Sequence, residues 1–418
     1  KQDYLDLAYA YASGGAWEEA VAFYEEAISA GADVSNISAD RAFAHYKSGN
    51  WKAAVADLSR ATDSAPHEST GWNRLGLSYA ELEDWDNAVN ALNKAVALSP
   101  DDVRVRADRA RAHALSGHWD KATDDLANIV DLAPHAMRNW QGLAAICLQT
   151  GNVELYRNTC HGALEQFADP QWWEAARLVR LCSWAPDVNI DREELDRLID
   201  RAIAETDHDG PTIAKGMNAY RRELYEQALE HLPQAGDILF LPLSDFFRAM
   251  AHHQLGNHTA ARNAFLHGTY QVYANFPTIH GPPMRADLAD RWLCYYMLHA
   301  IQQEAGLLIL NRNYACLERA IDSIVTGNYA EANQEVTKLL EIMPSSPELL
   351  MIRGDSLILQ NDWPAAAEDY ARALACGSAD EMTFLRALPL LMMAGSDEKF
   401  RQYCRAAIER FNEDAQYW

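Results

Sequence analysis

The sequence lacks the patterns that support membrane-spanning, disulfide-bonded or zinc-binding proteins. No stretch approaches the ~18 uninterrupted apolar residues of a transmembrane helix. The seven cysteines are an odd number, and even the closest two, Cys147 and Cys160, are too far apart for a zinc-ligand pair or a disulfide framework. Isolated thiols on helix faces fit a reducing compartment, so we expect a cytoplasmic protein.

Positive charge is also scarce. The chain has 36 lysines and arginines against 60 aspartates and glutamates, for a net charge of −24. Nucleic acid and anionic membranes would be repelled at long range, so we expect neither as a partner. The simplest interpretation of the acidity is solubility.

Motifs that carry catalysis or bind cofactors are absent as well. The sequence contains no zinc-protease motif, phosphate-binding loop, nucleophile elbow or dinucleotide fingerprint. The best metal candidate is His252 with His253 and His258, but these three have no metal-ligand spacing, and His252 is expected to point into a helical hairpin. We therefore expect no enzymatic activity, no cofactor and no metal.

What the chain does have is a strict period. Four tryptophans stand 34 residues apart, and each is followed three residues on by an alanine: Trp17 and Ala20, Trp51 and Ala54, Trp85 and Ala88, Trp119 and Ala122. Such a period indicates an array of helical hairpins that bury their apolar faces only by stacking. Glycines recur two residues before the tryptophan position, where a helix must end in a tight turn; they are Gly15, Gly49, Gly117, Gly256, Gly327 and Gly395.

The repeat at 69–102 shows the pattern most clearly. Trp72, Leu75 and Tyr79 form one apolar stripe on a first helix, and Ala88 is small where the second helix must approach it closely. This arrangement resembles the tetratricopeptide repeat. The resemblance implies an all-α, right-handed superhelical solenoid of stacked helical hairpins, with a concave groove that binds proteins.

Three segments are predicted. Residues 1–170 hold regular repeats and end in a splayed repeat, where Tyr156 replaces the small alanine. Residues 171–312 hold degenerate repeats, a loop at 270–285 and a long helix at about 286–311. The loop is either a binding loop or a rigid surface loop whose aromatics pack on the solenoid. Residues 313–418 form a second copy of the repeat module.

The second copy is visible as an internal super-repeat with an offset of about 244 residues. Gly151–Phe167 (GNVELYRNTCHGALEQF) aligns with Gly395–Phe411 (GSDEKFRQYCRAAIERF). A succession of pieces over about 150–310, restarting near 395, resembles the repeat regions of large bacterial multidomain proteins of the planctomycete type; the pieces are ELYRNTCHGALEQF, SWAPD, AYRRELYEQALEHL, FFRAMAHHQLGN and QQEAGLLI. In those proteins, such repeats accompany serine/threonine kinase or beta-propeller domains, so we expect the sequence to be a fragment of a larger protein.

Two functions are consistent with these features. The first is a protein–protein interaction scaffold that binds partner peptide segments in its groove. The alternative is a regulatory or sensor arm of a larger signalling enzyme, such as a serine/threonine kinase, that docks intramolecularly. The sequence does not predict the oligomeric state.

The resemblance also implies which residues line the groove, since the inner positions are the second, fifth, ninth, twelfth and thirteenth places of each repeat, all on its first helix. Read off in this sequence, the predicted partner-binding residues are Tyr9, Asn36, Phe43, Tyr46, Lys47, Asn73, Arg104, Arg111, Arg138 and Gln141. These aromatic and cationic side chains predict an extended peptide ligand with acidic and apolar side chains.

Arginines and acids also vary together from repeat to repeat. The seventh place is normally leucine, but five repeats have arginine there, and four of these have an acid sixteen residues later: Arg41 with Asp57, Arg109 with Asp125, Arg319 with Glu335, and Arg353 with Asp369. Arg248 is the exception, with Ala264. We predict an ion pair between the two helices of each such hairpin, bidentate because of arginine's planar fork.

Overall fold

The computed structural model describes residues 1–186, 188–233, 241–275, 291–376 and 381–411, except for the side chains of residues 34–36, 274, 275, 291–293, 295, 312, 381, 382, 410 and 411. In these ranges every regular element is helical: 23 α-helices and one 3-10 helix, Asn311–Asn313. The prediction of an all-α solenoid of repeats is confirmed.

The chain divides into two compact units. The N-terminal module comprises the described residues of Lys1–Asp169 and Pro282–Met297. Its helices are α1 Gln2–Ser13, α2 Trp17–Ser29, α3 Val34–Lys47, α4 Trp51–Ser64, α5 Ser69–Glu81, α6 Trp85–Leu98, α7 Val103–Leu115, α8 Trp119–Leu132, α9 Met137–Thr150 and α10 Val153–Gln166. They form five consecutive hairpins with the predicted 34-residue spacing. The start of helix α17 (Arg291–Ile309) also belongs to this module, where the Tyr296 and Trp119 rings meet edge to face at 5.1 Å.

The C-terminal module comprises the described residues of Pro170–Gly281 and Leu298–Trp418, including the rest of α17. Its other helices are α11 Trp172–Leu181, α12 Arg192–Glu205, α13 Asp209–Arg221, α14 Tyr225–His231, α15 Leu241–Gln254, α16 His258–Asn275, α18 Tyr314–Val325, α19 Tyr329–Ile342, α20 Pro347–Leu359, α21 Trp363–Ala375, α22 Glu381–Met393 and α23 Asp397–Phe411. The degenerate pair α11 and α12 lies where the sequence predicts it.

The turns inside the hairpins explain the recurring glycines. Gly117 has φ 77°, in the left-handed region that costs an ordinary residue steric strain. In the 69–102 repeat the same place is occupied by Glu83, whose φ is 58°, so this residue adopts the strained left-handed conformation. The predicted alanines Ala20, Ala54, Ala88 and Ala122 are all fully buried. The second helix can therefore lie close to the first.

The predicted ion pairs between hairpin helices are confirmed. Arg109 donates to both oxygens of Asp125, at 2.8 Å (Nε) and 2.6 Å (Nη2). Arg41 makes the same bidentate pair with Asp57, and Arg353 makes it with Asp369. The pair of Arg319 and Glu335 has a single bond of 2.8 Å.

Arg248, the predicted exception, turns instead to Asp245 on its own helix, at 3.1 Å. Arg109 and Arg353 have one further partner each, in the preceding repeat. Arg109 Nη1 donates to Asn93 at 3.0 Å, and Arg353 Nη1 donates to Thr337 at 3.1 Å. These two arginines thus hold neighbouring repeats together.

The repeat at 137–170 has a looser hairpin than the four before it; that it closes a separate N-terminal segment stays a prediction. Tyr156 is fully buried between α9 and α10, and these helices stay close over less of their length than those of the preceding hairpins. A ring in place of the small alanine keeps the two backbones apart.

The predicted loop at 270–285 begins too early. Tyr270 and Tyr273 lie on α16, which continues to Asn275, and the rest of that segment, 276–285, lies outside the described residues. Pro277 restricts the residues just before it but leaves earlier residues free to be helical. The following helix begins at Arg291 and ends at Ile309, inside the predicted 286–311.

Two buried histidines predict a pH-dependent stability. His45 and His113 occupy the place of Tyr79 in their repeats, and the Nδ1 atom of each is buried with no hydrogen-bond partner among the described residues. Burial lowers the pKa of both imidazoles. The unfolded chain therefore binds protons more readily, and stability is lost as the pH falls through the unfolded pKa of about 6.5.

We expect His45→Tyr with His113→Tyr to reduce the loss of stability between pH 7.5 and 5.5, by at most about 1 kcal/mol per pH unit for each histidine. Urea unfolding at both pH values measures this loss. The exposed His67, changed to tyrosine, is the control and should leave the pH dependence unaltered. An unchanged pH dependence in the double variant would contradict the prediction.

Candidate partner-binding surface

Polar contacts run from one first helix to the next in the N-terminal module. The Tyr9 hydroxyl on α1 donates to Asp40 on α3 at 2.9 Å, and the Asn73 amide on α5 donates to Asp108 on α7 at 3.0 Å. Tyr9 also packs edge to face on Tyr24, with ring centroids 5.8 Å apart. These contacts place two of the predicted residues, Tyr9 and Asn73, on a surface shared by adjacent repeats.

Phe43 is the aromatic centre of this surface. The Arg74 guanidinium lies 4.4 Å from the centroid of its ring, and the Lys47 ammonium lies 5.6 Å from it. Trp17 meets the same ring edge to face at 5.5 Å. The predicted residues Phe43 and Lys47 therefore lie together, and Arg74 and Trp17, which were not predicted, contact the same ring. Cations over an aromatic face are held by the ring quadrupole.

The contacts just described add three residues that the sequence prediction missed. Asp40, Arg74 and Asp108 stand 34 residues apart, at the sixth place of successive repeats. The predicted inner places were the second, fifth, ninth, twelfth and thirteenth. A charged residue at one place in three consecutive repeats was the signal that could have identified them.

Arg111 is the most unusual member of the surface. Its side chain is only 7 % exposed, yet no hydrogen bond or ion pair joins its guanidinium to another described residue. The carboxyl groups of Glu81 and Asp108 lie close enough for its charge to act on them, and none of its nitrogens is among the buried atoms that lack a partner. The donors of the guanidinium are therefore available to an acceptor from outside the described residues.

Acceptors without a donor lie near Arg111. Glu81 is 6 % exposed, and its Oε2 atom has no hydrogen-bond partner among the described residues. The Oδ1 atom of Asn73 also has no such partner. Burial raises the pKa of Glu81, and the nearby charge of Arg111 opposes this. Burial likewise raises the pKa of Asp108, which the Asn73 hydrogen bond and Arg111 lower. The region can both donate and accept hydrogen bonds.

Tyr46 lies in the core beneath this region and not on an open wall. It is 6 % exposed and packs edge to face on Trp51, with ring centroids 5.1 Å apart. Burial, with a smaller effect from the charge of Glu81, raises the pKa of its hydroxyl to about 12. Tyr46 therefore supports the surface from below and cannot itself form a broad contact with a partner.

The remaining predicted residues lie apart. The Arg104 side chain is 88 % exposed and pairs with Asp102 at 3.2 Å. Arg138 is exposed and Gln141 is half-buried. The side chain of Asn36 lies outside the described residues.

The wall is less cationic than the sequence predicts. Asp40, Glu81, Asp102 and Asp108 lie among the predicted cations and carry the opposite charge. Asp40, Asp102 and Asp108 come from places outside the predicted set, whereas Glu81 occupies the thirteenth place, where the preceding repeat has Lys47. The surface therefore carries charges of both signs.

Among the described residues, no three histidine, cysteine or acidic side chains cluster in a way that could hold a metal ion. The predicted metal candidates contact each other as rings: His253 and His258 meet edge to face at 5.1 Å. In the described part of the chain, no helix combines the length and apolarity needed to cross a membrane.

Comparisons with known proteins agree with this architecture. Tetratricopeptide-repeat family models match residues 75–139 in one case, and residues 40–103 and 317–381 in another. The chain thus contains tetratricopeptide repeats in both modules. Repeats of this class generally mediate protein–protein interaction and typically form non-enzymatic scaffolds. No curated protein sequence matches the chain.

Two solved structures resemble the chain at low identity. One is titled as Naa15/Naa10 bound to HypK-THB, with 13 % identity, a TM-score of 0.36, and coverage of 96 % of this chain and 67 % of that one. The other is a tetratricopeptide repeat protein from Parabacteroides merdae, with 12 % identity, a TM-score of 0.42, and coverage of 63 % of this chain and 99 % of that one.

Proposed function

We propose that the chain is a protein-interaction scaffold that binds peptide segments of partner proteins along the inner wall of its N-terminal module. The observation that supports this proposal is the buried Oε2 of Glu81, which has no hydrogen-bond partner among the described residues, together with the nearby charge of Arg111, a residue that is only 7 % exposed. Groups left unsatisfied at this cost are expected where a ligand completes them.

The ligand must present an acceptor to Arg111 and a donor to Glu81. A main-chain amide or a side-chain carboxamide provides both within one rigid group. A carboxylate would satisfy Arg111 but would be repelled by Glu81 and Asp108. We therefore place a peptide amide or carboxamide at Arg111, with hydrogen bonds strengthened by the charges of the two side chains.

Other residues of the surface suit acidic and apolar side chains of the same ligand. The exposed guanidinium groups of Arg104 and Arg138 suit carboxylates. The exposed ring of Tyr9 suits apolar groups. The ligand would therefore combine acidic and apolar residues around a central amide.

Peptides selected on the full chain from a random displayed library test the proposal. We expect Arg104→Glu with Arg111→Glu to weaken a selected peptide at least tenfold, which corresponds to about 1.4 kcal/mol and to the loss of one charge-assisted hydrogen bond. Fluorescence anisotropy measures the affinity. Arg104→Glu alone, at an exposed side chain, tests the wall without disturbing the core.

The matched control makes the same change of charge elsewhere. Lys52→Glu with Lys121→Glu alters exposed residues on the second helices α4 and α8 and should change the affinity less than twofold. Equal losses in the two double variants would show that only net charge matters. Unchanged affinity in the groove variant would rule out the proposed site.

A further inference from the structure

A cleft of about 450 Å³ opens where the repeats 103–136 and 137–170 meet. It is lined by the end of α8, by Pro134 in the loop that follows, and by residues of α9 and α10. The residues that matter below are Asp131, Trp140, Gly162 and Glu165. A volume of this size falls within the range of ligand sites, so the cleft can hold a long side chain of another molecule.

Two carboxylates make the cleft acidic. Asp131 lies at the end of α8 and Glu165 lies near the end of α10, and both residues are exposed. Neither has a hydrogen-bond or ion-pair partner among the described residues. Both carboxylates are therefore available to a cation from another molecule.

The ring of Trp140 is held in place on two sides. Its Nε1 donates a hydrogen bond to the carbonyl of Pro134 at 2.7 Å. Its other edge lies over Gly162, where an added methyl group would come within 2.8 Å of the ring. An aromatic ring that is already fixed loses little freedom when a ligand packs on it.

The 69–102 repeat shows what packs on a tryptophan at this place. Trp72 is the fourth residue of its repeat, as Trp140 is, and its Nε1 donates to the carbonyl of Pro66 at 2.9 Å. The ammonium group of Lys94 lies 3.9 Å from the centroid of the Trp72 ring. The ring quadrupole attracts a cation in this position.

The two repeats differ in their charges around the tryptophan. Three residues are the same at an offset of 68 residues: Trp72 and Trp140, Pro66 and Pro134, Asp63 and Asp131. At the same offset Gly162 stands in place of Lys94, and Glu165 stands in place of Ala97. The 137–170 repeat thus lacks the cation and has one more carboxylate. It keeps the groups that attract an ammonium but does not supply the ammonium itself.

We propose that this cleft binds a lysine side chain of a partner protein, whose ammonium takes the place on Trp140 that Lys94 takes on Trp72. The ring provides a cation–π contact, and Asp131 and Glu165 accept hydrogen bonds from the ammonium. An ammonium with three N–H donors suits two carboxylates. None of these residues occupies a predicted inner place, so this site does not depend on the proposed function.

The test uses fluorine NMR of the full chain labelled with fluorotryptophan. The variants Trp140→Phe and Trp72→Phe assign the two resonances. The probe is a glycine–lysine–glycine tripeptide with both ends blocked, and the same tripeptide with glutamine in place of lysine is the neutral comparison. We expect the lysine tripeptide to shift the Trp140 resonance until it saturates. The Trp72 resonance should not move, because Lys94 already covers that ring.

Removing the two carboxylates should weaken the lysine tripeptide. We expect Asp131→Asn with Glu165→Gln to reduce its affinity about fivefold, as the loss of two exposed ion pairs implies. The matched control is Glu18→Gln with Glu19→Gln, which makes the same change of charge at exposed residues of α2 and should alter the affinity less than twofold. All four substitutions are at exposed residues, and unchanged resonances of the distant tryptophans check that the fold is intact.

The 69–102 repeat provides a gain-of-binding test. Lys94→Ala uncovers the ring of Trp72, so we expect the Trp72 resonance of this variant to shift with the lysine tripeptide. A Trp72 resonance that still does not respond would contradict the role given to Lys94 and hence to the ligand.

Three other results would overturn the proposed site. The first is a Trp140 resonance that stays unchanged or moves equally with the glutamine tripeptide. The second is an equal loss of affinity in the two double variants, which would mean that only net charge matters. The third is tighter binding of an arginine tripeptide, which would overturn the assignment to lysine. These results leave the proposed function untouched, because Arg104 and Arg111 are unaltered in every variant.

Discussion

Replacing Arg109 with leucine is expected to lower the free energy of unfolding by about 3 kcal/mol, because it leaves a buried carboxylate without its main partner. The Asp125 side chain is 3 % exposed and receives two hydrogen bonds from Arg109. Only Arg106, at 3.4 Å, would remain beside it. The link from Arg109 to Asn93 in the preceding repeat is lost at the same time.

Removing the acid as well should recover most of this loss. The variant Arg109→Leu with Asp125→Ala has the combination that the 69–102 repeat already carries, as Leu75 and Ala91. Urea unfolding followed by circular dichroism gives the coupling free energy from the two single variants and the double one. A coupling near zero would show that the pair contributes nothing beyond its separate residues.

The cost of replacing the arginine in the other ion pairs should increase with the burial of each pair. Arg353→Leu is expected to cost at least as much as Arg109→Leu, because the next arginine beside Asp369 is 3.7 Å away. Arg319→Leu should cost least, since the Arg319 side chain is 51 % exposed and Lys338 also binds Glu335. A different order would mean that burial does not set the strength of these pairs.

These ion pairs could be predicted from the sequence because the repeat supplies comparisons within one chain. Each hairpin places the seventh residue of its first helix opposite the acid sixteen residues later, so an arginine at one site favours an acid at the other. The same periodicity predicted the hairpin bounds. It failed at α16, where Tyr270 and Tyr273 before Pro277 suggested a loop, although both lie on the helix and the Tyr270 hydroxyl accepts a hydrogen bond from Arg386.

The candidate surface was less predictable, because burial there depends on neighbouring repeats. Arg111 and Arg104 are both arginines at predicted groove places, yet one is almost fully buried and the other is open to solvent. Arg111 lies near Glu81 of the adjacent first helix, whereas Arg104 is the second residue of α7 and pairs with Asp102 just before that helix. A periodic pattern shows which face a residue lies on but not how deeply it lies there.

A second large effect is expected where Trp140 packs on Gly162 in the loose hairpin. A methyl group added at Gly162 would come within 2.8 Å of the Trp140 ring. The ring cannot turn aside freely, because its Nε1 donates to the carbonyl of Pro134 at 2.7 Å. Gly162→Ala should therefore destabilise by about 1–2 kcal/mol, even after the helix-propensity gain of about 1 kcal/mol.

The super-repeat again provides the compensating change. At an offset of 244 residues, Trp140 corresponds to Phe384 and Gly162 corresponds to Ala406, so the smaller ring faces the larger residue. Trp140→Phe with Gly162→Ala should thus be more stable than Gly162→Ala alone, with a remaining cost of about 1 kcal/mol for the lost indole hydrogen bond. Gly14→Ala is the control, because the nearest atoms to its added methyl group are at 3.5 Å. The prediction is wrong if Trp140→Phe lowers the free energy of unfolding by the same amount with glycine or with alanine at position 162. The ring and residue 162 would then not be matched in volume, and Gly162 would have to be explained by backbone flexibility alone.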